Sequence, residues 1–232
     1  MSETLRLACI DTDAPPLFDK SIDGVHRVGY EPEAAELVAG VMGRTIEWAI
    51  TGWDDMIPMV QRGEADAVWC GQGMIPERIA QVDFTQPYAI FNETTLVRTG
   101  DPANSATTMH GYKVGAIAGS ANLKVAKTIE GAEIVEFTGE TVFDDMIAAL
   151  RSGEIDAFVD DDVVMIPLAE NDPDFVVAFT AETRNPWGIG VRKGNDELRA
   201  EIDRALATVI ADGRLKAVWH KWMPDLPFPL GD

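Results

Sequence analysis

The sequence predicts an α/β chain of two related lobes, each a mainly parallel sheet flanked by helices. Two observations carry this. Residues 53–69 (WDDMIPMVQRGEADAVW) lie over residues 143–159 (FDDMIAALRSGEIDAFV) without a gap, and around each copy short apolar strands alternate with amphipathic helices. In the repeat, Asp54, Asp55, Met56, Ile57, Gly63, Glu64, Asp66 and Ala67 match Asp144, Asp145, Met146, Ile147, Gly153, Glu154, Asp156 and Ala157. Solenoid units recur every ~20–50 residues, and these copies lie too far apart for that, so two lobes are predicted rather than an array.

The elements follow in order. LRLACI reads as a strand, then a helix from about Pro32 to Met42, the strand TIEWAI, the first repeat helix and the strand DAVWC. In the second half KVGAIAG leads into a helix that Ser120 can cap. EIVEF follows, and Thr141 can cap the second repeat helix, which Gly153 stops as Gly63 stops the first. After FVVAF and WGIGVRKG comes a helix with Leu198, Ile202, Leu206 and Val209 on one face, a breaker at Asp212-Gly213 and a last helix ending near Trp222. Trp219 and Trp222 on that helix are expected in the core.

Composition narrows the function. Hydrophobic residues make up 46% and charged residues 25%, as in ordinary globular chains, and the apolar runs are far shorter than the roughly 20 residues that span a bilayer. A net charge of −20 with no cluster of Lys or Arg argues against nucleic acid. MSETLRLAC has no basic segment followed by an apolar stretch, so the protein is cytoplasmic or its leader was removed. Cys9 and Cys70 each end an apolar segment and read as buried thiols, as a disulfide between adjacent strands, or as reactive groups. Phosphate-loop, nucleophile-elbow and zinc-protease motifs are missing, the three histidines are scattered, and no metal or cofactor is implied.

Ligands of open parallel sheets bind beyond the carboxyl ends of the strands. Those ends are Asp11–Pro16, Gly71–Arg78, Gly119–Asn122 and Asp160–Asp162, and the repeat makes Gly71 and Asp161 equivalent. Arg78 can hold a carboxylate with its planar fork, or it can pair with Glu77 or Asp83. Gly119-Ser120 can present N–H groups to an anion or simply cap a helix. Asp160, Asp161 and Asp162 offer acceptors to a cation, or form a solvated acidic loop. Trp53, Trp69 and Trp187 fall on or beside the rim, where an indole can pack on a ligand, although core packing is the default for any one of them.

Taken together, Asp11 to Pro16, the Asp23–Glu31 stretch ending GYE, WDDMIP, IPERIAQVDFTQPY, GEIDAFVDD and the ending from WGIGVRKG to KWM resemble the family 3 extracellular solute-binding proteins of bacterial ABC transporters. The resemblance runs over nearly the whole chain, and PER…VDF…PY is its most specific segment. It implies the type II periplasmic-binding-protein fold, with crossovers near Thr94–Gly100 and Trp187–Lys193. One lobe is then 1–97 plus 190–232 and the other 98–189. It implies export to the periplasm or cell surface, a monomer handing its solute to permease subunits, and closure of the lobes on a small carboxylate-bearing, amino-acid-like ligand.

By position Arg78 is similar to the family's carboxylate-binding arginine and Asp161 to its ammonium-binding aspartate. The Gly71 carbonyl and the Gly73 and Ser120 N–H groups match backbone contacts, Trp53 matches an aromatic cover, and Asp11 lies in the first motif. Gly73 stands where Ser or Thr is usual, Ile75 where Thr is frequent, and Ala14 where an aromatic is common, which loosens the case for a standard α-amino acid. The same architecture also serves cyclohexadienyl dehydratases and receptor sensor domains, which are the alternatives to transport.

Overall fold

A computed structural model of the chain describes residues 4–21, 23, 25–139 and 141–231. The chain divides into two compact units. The first holds the chain up to Thr12, Pro16–Ile90 and the chain from Pro186 onward, and the second holds Asp13–Pro15 and Phe91–Asn185. No helix of the described residues is long and apolar enough to cross a membrane.

The sheet of the first unit contains β1 (Thr4–Cys9), β2 (Thr45–Ile50), β3 (Ala67–Val68), β4 (Val82–Phe84) and β10 (Gly190–Arg192), in the order β2-β1-β3-β10-β4. The second contains β5 (Ala89–Arg98), β6 (Lys113–Ile117), β7 (Glu133–Phe137), β8 (Ala157–Asp161) and β9 (Phe175–Trp187), in the order β7-β6-β8-β5-β9. The two plans match strand for strand. β1 runs parallel to β2 and β3, as β6 does to β7 and β8. The strand beyond is antiparallel in both cases, β10 against β3 and β5 against β8, so each sheet is mixed.

The sequence repeat is the visible part of this correspondence. Helix α2 (Met56–Arg62), entered through a 3₁₀ turn at Trp53–Asp55, and helix α5 (Val142–Ser152) precede β3 and β8. Both end on a glycine in the left-handed region, Gly63 at φ 78° and Gly153 at φ 81°, a conformation that costs other residues a clash with Cβ. Beyond each cap an aspartate accepts a backbone N–H from the neighbouring strand: Asp66 from Arg6 at 2.8 Å and Asp156 from Lys113 at 3.0 Å. These acceptors fix the register of strand on strand.

Helices α1 (Tyr30–Met42), α7 (Asp196–Ala211) and α8 (Arg214–Trp222) belong to the first unit. The predicted apolar face of α7 is buried at Leu198, Ile202, Leu206 and Val209, each worth roughly 1.5–3 kcal/mol of transfer free energy. Trp219 is buried against the edge of Tyr30 at 5.3 Å, whereas Trp222 is half-buried and donates its indole N–H to Glu33 at 2.7 Å. The second unit's core gathers Val97, Met109, Val114, Leu123, Ile129 and Val159 around β5, β6 and β8, with the short helix α4 (Ala121–Ala126) against it.

Several elements differ from the sequence reading. The strand written as DAVWC is only Ala67–Val68, because the backbone turns through Cys70 to reach Gly71 at φ 56°. Thr141 stands at the N-cap of α5, but its hydroxyl bonds the Asp145 carboxylate at 3.0 Å and caps no backbone group. The acidic run is not a loop. Asp160 and Asp161 end β8, and Asp162 opens helix α6 (Asp162–Asn171), which carries Pro167 inside it. Cys9 and Cys70 are buried free thiols. The expected lobe boundary at 97/98 lies near the far end of β5, while the compact units part at Ile90 and Phe91. Pairing of Glu93–Val97 with β8 holds β5 in the second sheet.

Candidate functional site

In the first unit the residues past β3 gather around a buried guanidinium. Helix α3 (Pro76–Ile79) starts with proline at its first position, where a missing N–H costs nothing, and it presents Arg78. Arg78 is 7% exposed. Its Nη1 donates to the Gly73 carbonyl at 3.3 Å, and its guanidinium lies over the Trp53 ring at 5.4 Å. These contacts help hold the planar guanidinium in one orientation. The structure brings Arg78, Trp53 and Gly73 together.

Gly71 is held from behind. Its N–H donates to the Tyr88 hydroxyl at 3.1 Å, and a Cβ on it would reach the Trp187 ring at 3.5 Å. Trp187 pairs with Gly73 through an isolated antiparallel bridge. Trp69 and Trp187, expected at the rim, are fully buried and pack on Tyr88 at 5.3 and 6.1 Å between ring centroids. Only Trp53 of the three stays half-exposed beside Arg78.

Asp11 serves its own loop. It accepts the Ser21 N–H and hydroxyl at 2.8 and 2.9 Å, and Nη1 of Arg27 at 3.3 Å. Arg27, with a side chain 1% exposed, is sandwiched by Phe18 and Trp48. Sequence reasoning missed it, since no spacing rule links residues 11, 18, 27 and 48.

In the second unit the end of β8 gathers negative charge. Asp161 faces Glu93 in register across the β5–β8 ladder. Asn122 donates to Asp160 at 3.0 Å, and Asn92 donates to Asp162 at 2.8 Å. Glu93 is fully buried and accepts from Thr183 and Asn185 of β9. Oδ2 of Asp160 and Oδ1 of Asp161 and Asp162 are covered, yet have no hydrogen-bond partner among the described residues.

Burial first, then the charges of Asp160 and Glu93, push Asp161 well above the usual carboxylate range, while Asn122 draws it back. Asp160, Asp162 and Glu93 are likewise raised, chiefly by burial. A cation brought here would offset the cost of burying these carboxylates. Ser120 caps α4 by accepting the Leu123 N–H at 3.0 Å, and its own N–H closes a turn onto Ile117 at 3.1 Å. That N–H, expected to meet an anion, therefore has an acceptor within the chain.

The family model for bacterial extracellular solute-binding proteins, family 3, matches residues 7–225. The chain belongs to this family. Within it, the chain is similar to the ABC transporter glutamine-binding protein GlnH of Bacillus subtilis (strain 168), with 30% identity over 74% of this chain and 62% of GlnH, under two thirds of that protein's length. Two solved structures share the fold closely. An ancestral arginine-binding protein bound to arginine is 31% identical, with TM-score 0.87 over 96% of this chain and 99% of that one. The ancestral amino acid-binding protein AncCDT-1, a precursor of cyclohexadienyl dehydratase, is 30% identical, with TM-score 0.83 over 95% of both chains. The type II periplasmic-binding fold predicted from the motifs is the fold of this family 3 chain.

Two of its family motifs meet in a contact that the sequence did not reveal. Glu31 of GYE and Tyr88 of the PY segment are both buried, and the Tyr88 hydroxyl lies 2.9 and 3.0 Å from the two carboxylate oxygens. Gly29, at φ 134°, sets Glu31 in place: a Cβ there would stand 2.3 Å from the Leu17 carbonyl, to which Glu31 donates its own N–H at 3.0 Å. Burial pushes the Glu31 carboxyl up to about 8, against the pull of Tyr88, the Gly71 N–H and Arg27.

A folded value above the unfolded one means that the unfolded chain releases a proton which the folded chain retains, so stability falls as pH rises across that interval. Glu31→Gln keeps the shape and removes the titration. Its melting temperature is expected to match wild type near pH 4.5 and to exceed it increasingly toward pH 8, as thermal melts across that range would show. A constant gap would mean that Glu31 does not titrate there.

Proposed function

We propose that this chain is the extracytoplasmic solute-binding component of an ABC importer, a monomer that binds without catalysing a reaction and delivers to permease subunits. Its solute is small and amino-acid-like, taken by its carboxylate at Arg78 under Trp53 and by a cationic group at Asp161. The observation that carries this reading is the opposite polarity of the two units at equivalent strand ends. One holds a buried, oriented guanidinium, and the other holds covered carboxylate oxygens that have no hydrogen-bond partner among the described residues. Its similarity to a glutamine-binding protein and to an arginine-binding protein supports the same class of ligand.

The test is a thermal-shift screen of amino acids, betaines, dicarboxylates and aromatic acids. A ligand that binds only the folded state at a hundred times its dissociation constant adds about 2.7 kcal/mol of stability. Zwitterions with a second cationic group are expected to give the largest shifts and dicarboxylates none. A screen in which dicarboxylates win would overturn the assignment of Asp161. Incubation with prephenate or arogenate is expected to leave both unchanged, and release of an aromatic product would transfer the chain to the dehydratase reading.

A further inference from the structure

We propose that Glu31 is a positioning residue for the anion-binding corner, acting through Tyr88 to hold the Gly71 N–H and with it the Gly71–Gly73 backbone on which Arg78 rests. The inference extends the reading of Arg78 as the carboxylate anchor and depends on it for its functional consequence. Its geometry is a continuous chain of contacts. Both oxygens of Glu31 lie against the Tyr88 hydroxyl, and that hydroxyl accepts the Gly71 N–H at 3.1 Å. Two residues on, the Gly73 carbonyl accepts from Arg78.

Tyr30 fixes the other end of the same tyrosine by donating to the Tyr88 carbonyl at 3.1 Å. The ring of Tyr88 packs on both Trp69 and Trp187, and Trp187 is the ring that a Cβ on Gly71 would meet. A hydroxyl accepts and donates at once, so Tyr88 passes the orientation of one carboxyl to one backbone amide.

The groups acting on Glu31 come from several elements. Arg27 approaches from the loop before α1, Tyr88 from the segment before β5, and the Gly71 N–H from the turn after β3. Cys9 at the end of β1 and Cys70 after β3 feel the charge of Glu31 in return, as does Tyr30 beside it on α1. Both thiols are pushed upward by burial, so they stay neutral, and Arg27 is the cation named among these groups. When Glu31 ionises, a negative charge appears directly behind the corner that receives a carboxylate, and affinity for an anion falls.

The experiment compares wild type with Tyr88→Phe, Glu31→Leu and Glu31→Gln by two readouts: amide hydrogen exchange at Gly71 and calorimetric titration with L-arginine. Tyr88→Phe keeps the ring and removes only the hydroxyl, and Glu31→Leu keeps the volume and removes the acceptors. Both are expected to speed Gly71 exchange and to weaken L-arginine binding about tenfold, the effect of one lost hydrogen bond. Glu31→Gln is expected to hold both within about twofold at pH 7. It is also expected to lose the fall in affinity that wild type shows between about pH 7 and about pH 9, beyond the ligand's own titration, which is common to both proteins.

Native exchange at Gly71 in Tyr88→Phe, or an unchanged pH profile in Glu31→Gln, would overturn the proposal. A wild type that ignores L-arginine while Gly71 exchange responds as expected would leave the positioning role standing and count against the solute reading instead.

Discussion

Replacing Arg78 by alanine is expected to raise the dissociation constant for a carboxylate solute at least about a hundredfold, the usual cost of truncating one partner of a desolvated charge pair. The fold gives little reason for the variant to collapse. Arg78 sits on a helix of four residues, and its Nη1 bond to Gly73 is within the same turn. Arg78→Lys separates charge from geometry, because an ammonium retains the attraction but cannot make two parallel hydrogen bonds while resting flat on Trp53. An intermediate loss, about tenfold, is expected there. Calorimetric titration with the solute selected by the screen would read both, and an alanine variant within about threefold of wild type would remove Arg78 from the site.

Asp161→Asn is expected to move stability and affinity in opposite directions. In the solute-free protein the carboxyl is raised well above its ordinary value by burial and by Asp160 and Glu93, so it weakens the fold as pH rises above about 4. Asparagine ends that dependence, and the variant is expected to melt higher than wild type at neutral pH. A solute cation meanwhile loses its charged acceptor, and its affinity is expected to drop by a factor of about 30–1000. Solutes without a cationic group are expected to bind the variant as they bind wild type. Melts of the free protein paired with titrations would show the inversion. A variant both less stable and equally avid would mean that Asp161 is structural.

Much of this architecture was legible because it is written in local rules. Gly63 and Gly153 stop helices through backbone conformation, and Leu198, Ile202, Leu206 and Val209 mark a face by spacing. The strand-end segments follow from chain order alone. What stayed hidden depends on residues meeting across long separations. Arg27 finds Asp11, Phe18 and Trp48 through the packing of three segments, and Glu31 finds Tyr88 although both lie in motifs conspicuous in sequence.

Trp69 and Trp187 stand beside segments that reach the site, so position placed them on the rim. Their side chains turn inward to pack on Tyr88, and a linear reading cannot see that direction. For Asp160–Asp162 a solvated loop stood beside the reading as cation acceptors, because charge usually faces water. The Asn122 and Asn92 amides that keep part of this run buried come from other elements.

The matched sheets carry one more implication. Gly71 and Asp161 occupy the same station in two copies of one frame, yet the neighbourhood of the first is arranged around a guanidinium and that of the second around carboxylates. The two copies share a strand plan and differ in the charge gathered at its end. A dianion or a dication could match only one of the two charge patterns, so the proposed solute is a molecule whose ends differ in charge.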